Sequence, residues 1–356
     1  MNTGRRRQGA NKVTARLHTW AWLSWVAGVL VVTSATRNPW YLALVLACIA
    51  LALRFAPQET DVAPIPLSPL RFGLVVIPLA AAVNAAFAHL GDHTLVRLPD
   101  GIPLVGGAIT WEAIVFGALN GVKVTAIYAA FVTLNRALPV RSLVRLIPRA
   151  FYQVAVVVSI AVTYVPTTLR QFQQIREAQA VRGHRLRGWR DWLPLFVPLL
   201  VGGLERALQL AEAMISRGFA GGEGDVHDAG TRLVMIQGLV AVLAGWLLRL
   251  FFGWQWVGLG LMLAGVLLIV AALWVVGRRV PHTTYRRERW SRWDTAVALG
   301  VVVTAAVFLL PVPGLDRSSI FYYPYPGVTW PGLHVVIGLL VSGLALPAVV
   351  GAMGRR

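Results

Sequence analysis

Charge is what this sequence has least of. Asp, Glu, Lys and Arg make up only 13% of its 356 residues, against about 25% in an ordinary soluble domain. A soluble globular fold of usual composition is therefore excluded. Acidic residues are the scarcer sign, 15 against 33 Lys and Arg. They are scattered, so no cluster of carboxylates, His or Ser marks an enzyme site at either membrane face. A single cysteine, Cys48, excludes an intrachain disulfide. No Cys/His spacing of the metal-binding kind occurs. No GxxxxGK[ST] stretch occurs either, so the chain supplies no nucleotide-binding loop of that type.

What is present is apolar. Hydrophobic residues make up 57% of the chain and the mean hydropathy is +0.65. Runs of about 20 apolar residues recur, which predicts an all-α, polytopic integral membrane protein. Its first partner is the lipid bilayer. The net charge of +18 does not call for nucleic acid, because Lys and Arg collect in cytoplasmic loops of membrane proteins.

About eight spans are expected, near Trp20–Thr36, Pro39–Phe55, Arg71–Leu90, Trp111–Leu134, Leu233–Phe252, Trp254–Gly277, Asp294–Leu310 and Gly332–Val350. The first two are short for a bilayer core of about 30 Å. Arg5, Arg6, Arg7, Lys12 and Arg16 precede the first, which reads as a retained span with a cytoplasmic N-terminus. That topology puts every strong basic cluster on one face, including Arg278, Arg279, Arg286, Arg287, Arg289 and Arg292, and the terminal Arg355-Arg356. The boundaries drawn are 1–135 for the N-terminal spans, 136–222 for a cytoplasmic domain, 223–277 for the spans after it, and 278–356 for a basic loop and C-terminal extension. The expected location is the cell membrane of a prokaryote.

Local chemistry refines this plan. Pro57–Pro69 reads as an extended loop. His89–Thr110 reads as an outer loop, with a turn at Asp100-Gly101. His89, Asp92 and His93 lack a further ligand, so neither a metal nor a cofactor is expected. Thr110 suits an N-cap and Glu112 the first helical turn. Gly117 and Gly121 form a GxxxG pair that favours close helix packing. Lys123 and Asn120 are polar at a depth where such groups face protein or water, or snorkel. Leu138–Arg149 reads as a basic interfacial helix. Phe151–Val165 is too short to span before Pro166 and is expected to dip into the inner leaflet.

The chain is organised around the stretch from Pro166 to Gly222, the longest polar and basic segment. There Leu169, Phe172, Ile175, Ala178 and Val181 recur every three residues among Gln, Arg and Glu, giving a helix with one apolar face. It ends in Val181-Arg182-Gly183. A second stripe, Val201, Leu204, Leu208, Ala211 and Ile215, ends in Ser216-Arg217-Gly218. Glycine after each arginine suits the left-handed residue that closes a helix. Each arginine then offers a planar, permanently charged donor fork in the last turn. Pro194 and Pro198 are expected to divide the platform into several helices.

REAQAVRG (Arg176–Gly183) and LAEAMISRGF (Leu210–Phe219), with LPLFVPLL between them, resemble the coupling domain of the T component of energy-coupling factor transporters, a family that includes the cobalt-transport Q component. The stretch AVTYVPTTLRQFQQI and the early Asn38-Pro39 turn are similar too. The resemblance runs from about Thr14 to Phe252. It departs in having Val181 where Ala is usual, in having Ser216, and in the extension from about Arg278. It implies two ABC-type ATPase subunits docked on the cytoplasmic helix ends, with Val181, Arg182 and Gly183 at one and Ser216, Arg217 and Gly218 at the other. It also implies a separate membrane S component that holds a vitamin or metal ion. Gly117, Gly121 and Lys123 are then expected at intramembrane packing or at a contact with that S component. No catalytic residue is assigned. The alternative is a self-contained secondary permease, for which Lys123 is the main support.

Overall fold

The computed structural model of the chain describes residues 17–56, 67–88, 90–97, 107–183, 188–219, 229–279, 290–310 and 318–353. Arg5, Arg6, Arg7, Lys12, Arg16, most of the Pro57–Pro69 link, His89, the Asp100-Gly101 turn, Arg286, Arg287, Arg289 and Arg355-Arg356 lie outside the described residues. The described chain is almost entirely helical.

Short polar residues start the helices. Asn38 caps α2 (Pro39–Phe55), its Oδ1 accepting from the Trp40 amide at 2.9 Å, with Pro39 pre-set at the first helical position. His18 Nδ1 accepts from the Trp20 amide ahead of α1 (Thr19–Ala35). Ser68 caps α3 (Pro69–Phe87), and Thr110 caps α4 (Trp111–Ala137) as its sequence predicts. Ser291 and Asp294 form a capping box at α10 (Arg292–Leu309). Between α3 and α4, Thr94–Arg97 (β1) pairs antiparallel with Ala108–Thr110 (β2), so the expected loop carries a hairpin.

The chain divides into two compact units, Met1–Val140 with Arg286–Arg356, and Arg141–Tyr285. In the first, α1 and α2 pack against α10, α11 (Val335–Ser342) and α12 (Leu346–Met353). Trp25, Tyr41, Ile49, Ile337 and Leu344 are fully buried there. The Trp25 Nε1–H donates to the Leu344 carbonyl at 2.7 Å. Cys48 is buried, with its Sγ 3.8 Å from the Val341 carbonyl. In the turn between α1 and α2, Thr36 and Asn38 are buried as well. Asn38 Nδ2 donates to the carbonyls of Ser319 and Gly332, both at 2.7 Å, and Thr36 Oγ1 donates to that of Ile320 at 3.0 Å. Buried polar groups left unpaired cost about 1–3 kcal/mol each, so these bonds pin the C-terminal segment to the first helical turn. α3 and α4 pack together through Gly117 and Gly121: a Cβ at Gly117 would lie 2.5 Å from the Ala80 carbonyl oxygen, and one at Gly121 2.7 Å from Ile77 Cα.

In the second unit, α8 (Ala229–Phe251) and α9 (Gln255–Arg279) meet backbone to backbone. Gly245 faces Gly258 and Gly238 faces Gly265; a Cβ on any of the four would come within 3 Å of the opposing carbonyl oxygen. The same unit holds α5 (Val140–Val144) from its second residue on, α6 (Tyr152–Val181) and α7 (Leu193–Ser216).

Three expectations give way here. The interfacial helix expected over Leu138–Arg149 shrinks to the five residues of α5 and a 3₁₀ turn at Arg149–Phe151, because Pro148 has no amide to continue a helix. Pro166 does not separate two segments: α6 runs through it for 30 residues. Only the hydrogen bond to the Val162 carbonyl is lost there, since proline lacks one donor. Pro194 and Pro198 do not divide the platform. Pro194 falls in the first turn of α7, where a missing amide leaves nothing unpaired, and Pro198 lies one turn further on, inside the helix. Among the described residues eight helices are long and apolar enough to cross a membrane. They include α6 and α7, while α1 and α2, at 17 residues each, are shorter. At 1.5 Å per residue these two reach about 26 Å.

Candidate functional site

The two arginine–glycine ends are built alike. Arg182 closes α6 with φ −77° and ψ 7°, and Arg217 closes α7 with φ −90° and ψ 7°. Gly183 follows at φ 78° and Gly218 at φ 75°, the left-handed values expected of both. The Gly183 amide donates to the Ala180 carbonyl at 3.0 Å, and the Gly218 amide to the Ile215 carbonyl at 2.9 Å. In each case the bond returns three residues to a carbonyl the helix leaves open. Arg182 and Arg217 are exposed, and no described residue lies within 4 Å of where a Cβ on either glycine would sit. Each end therefore presents an exposed arginine side chain.

The helices that carry these ends are antiparallel. The ring of Phe172 in α6 stacks on that of Trp192, just before α7, with centroids 6.4 Å apart. The ring of Tyr152, at the start of α6, stacks on that of Phe219, beyond the end of α7, at 6.3 Å. Between these clasps, a Cβ on Gly202 would lie 2.6 Å from Gln171 Nε2, so the absent side chain lets the glutamine sit against α7. Counted from there at 1.5 Å per residue, Arg182 lies roughly 16 Å along one helix and Arg217 roughly 22 Å along the other, in opposite directions.

The apolar stripe of α7 is uncovered, while on α6 Phe172 and Ile175 are half-buried. Val201, Leu204, Leu208 and Ile215 on α7 are each more than half exposed, and Val181 is 90% exposed. Leu195 is the one buried residue of α7, and α6 has none. Exposed apolar area on this scale marks a surface that lipid or protein covers.

The remaining residues singled out in the sequence lie elsewhere. Gly117 and Gly121 face α3. The Lys123 Nζ donates to the Ser34 carbonyl near the C-terminal end of α1 at 3.5 Å. Glu112 is fully buried, with its Oε1 2.6 Å from His93 Nδ1, so the hairpin segment is clasped to the start of α4. Among the described residues no group of three His, Cys, Asp or Glu side chains is placed to hold a metal ion. Sequence reasoning missed the Tyr152–Phe219 and Phe172–Trp192 clasps. Their signal, two aromatics in α6 and one on each side of α7, emerges only once the helices are known to run antiparallel.

Residues 10–228 match the profile of the family CbiQ, described as a cobalt transport protein. The chain is 31% identical over 109 residues to the energy-coupling factor transporter transmembrane protein EcfT of Brevibacillus brevis, covering 29% of this chain and 41% of that protein. Over 133 residues it is 31% identical to EcfT of Heliobacterium modesticaldum, covering 33% and 50%. Over 210 residues it is 27% identical to EcfT of Bacillus selenitireducens, covering 55% and 75%. The chain thus spans half or less of the length of the first two of these relatives. Helices α8 to α12 lie beyond the segment that matches the family profile.

Proposed function

The chain belongs to the CbiQ family of cobalt transport proteins, and from that premise we propose that it is the transmembrane coupling component of an energy-coupling factor transporter. Two ABC-type ATPase subunits dock on it from the cytoplasm, one taking the Arg182 end and the other the Arg217 end. ATP-driven closure of that pair shifts α6 against α7. The shift passes to a membrane S component that holds a vitamin or a transition-metal ion such as cobalt. The chain itself hydrolyses nothing; it converts motion of one partner into motion of another. It lies in the cell membrane with its N-terminus in the cytoplasm.

The observation that carries this reading is the pair of matching helix ends. Two exposed arginines with the same backbone geometry, at opposite ends of one helix pair, suit two copies of one kind of partner. An arginine fork meets carboxylates with two parallel hydrogen bonds, which makes each end a directional contact. The uncovered stripe of α7 adds apolar area for further partners.

The test is mild-detergent affinity purification of the full chain, wild type beside the double variant Arg182→Glu/Arg217→Glu. Two ATPase subunits and a small membrane protein are expected with the wild type, and loss of the ATPases with the variant. A wild-type chain that comes alone, even after crosslinking, would overturn the coupling role and favour a self-contained permease.

A further inference from the structure

A basic seam in the second unit has no counter-ion among the described residues. Gly277, near the C-terminal end of α9, lies against the 3₁₀ turn at Arg149–Phe151; a Cβ there would meet Arg149 Cβ at 3.3 Å. The next residue, Arg278, lays its guanidinium over the Trp274 ring, 3.4 Å from the centroid. Arg149, Arg278 and Trp274 are all exposed. Among the described residues neither arginine has an ion-pair partner. No Asp or Glu occurs in the stretches of chain that carry them, from Ala113 to Arg176 and from Ala229 to Arg287.

We propose that Arg149 and Arg278, at the seam between the 3₁₀ turn and the end of α9, bind the phosphate of an anionic phospholipid headgroup. The placement fits a lipid better than a soluble ion. α9 is among the helices long and apolar enough to cross the membrane, so its end comes to the headgroup layer. Trp274 sits one turn inside that end, where an indole is at home in the interface. Stacking on it holds the Arg278 guanidinium flat at that depth, leaving its edge free to donate. The glycine at 277 lets the second arginine approach from a separate element. Two arginines on either side of a helix end match one phosphate and leave the acyl chains against the apolar flank of α9, where Leu267 and Val270 are exposed. The inference does not depend on the coupling role.

The test is native mass spectrometry of the full chain released from phosphatidylcholine nanodiscs that contain a minor fraction of phosphatidylglycerol. Wild type is expected to retain phosphatidylglycerol in preference to phosphatidylcholine. Each arginine near a membrane surface contributes about a fivefold gain in binding. Arg149→Gln and Arg278→Gln should each weaken retention roughly fivefold, and the pair more. The control Arg97→Gln, on strand β1, should match wild type, and Arg149→Lys/Arg278→Lys should keep most of the preference. Unchanged retention in the double Gln variant overturns the proposal. So does a double Lys variant that loses the lipid as completely as the Gln one. A third arm adds soluble glycerol phosphate: if it displaces the lipid at equal concentration, the site is one for free phosphate and the lipid assignment falls.

Discussion

The ring of Tyr152 stacks on that of Phe219 at 6.3 Å, joining the first residue of α6 to a residue three beyond the end of α7. With Phe172 on Trp192 at the other end, this contact fixes the antiparallel sense of the pair. The sense matters because both helices end in the same arginine–glycine device. Parallel helices would bring the two devices together as one patch. Antiparallel helices send them apart, so each end stands as a separate contact.

Separate contacts predict graded loss. Arg182→Glu alone and Arg217→Glu alone should each leave one end able to hold the ATPase pair, and only the double variant should release it fully. The amount of ATPase retained on the purified chain measures this. A single variant as poor as the double would mean that the two ends act as one contact.

The glycines give a second prediction. At φ 78° and 75° an L-residue is strained, by roughly 1–2 kcal/mol. No clash with a described residue adds to this, since none lies within 4 Å of either Cβ position. Gly183→Ala and Gly218→Ala should therefore weaken ATPase retention while leaving the level of membrane-inserted protein unchanged. Gly→Asn should be milder, because asparagine tolerates the left-handed region. A loss with Asn as large as with Ala would remove the backbone explanation.

Asn38 ties together parts of the chain some 280 residues apart. Its side chain caps α2 and donates to two carbonyls of the C-terminal segment. Asn38→Ala loses all three bonds and leaves buried acceptors unpaired, which should cost about 2–4 kcal/mol. Thermal unfolding of the detergent-solubilised chain should show a clear drop in midpoint. Asn38→Asp keeps the cap but not the two donated bonds and should fall as well. An Asp variant as stable as wild type would show that only the cap matters.

The α8–α9 contact can be tested against its own control. Gly245 and Gly258 face each other so closely that a Cβ on either would come 2.6–2.7 Å from the opposing carbonyl oxygen, whereas Gly260, on the same helix as Gly258, has nothing within 4 Å. Gly258→Leu should split the hairpin and reduce folded yield sharply; Gly260→Leu should be tolerated. Equal behaviour of the two would contradict the close approach.

The sequence by itself determined the class of this protein and its devices. Scarce charge and long apolar runs dictate membrane helices, because an unpaired backbone in lipid is too costly to leave unwound. The motifs Val181-Arg182-Gly183 and Ser216-Arg217-Gly218 are local: a helix, its capping arginine and the left-handed glycine lie within a few residues, so their backbone geometry was legible. Only the tertiary structure decided what depends on distant partners. Prolines mark an interruption in sequence, yet Pro166 lies within a continuous helix and Pro194 in the first turn of another, because the cost of a missing amide depends on where in a helix it falls. Asn38 reads as a turn residue; that it also holds Ser319 and Gly332 follows from the C-terminal helices packing on α1 and α2. The direction of the two arginine ends is likewise a property of the helix pair, set by aromatic contacts that no local pattern encodes.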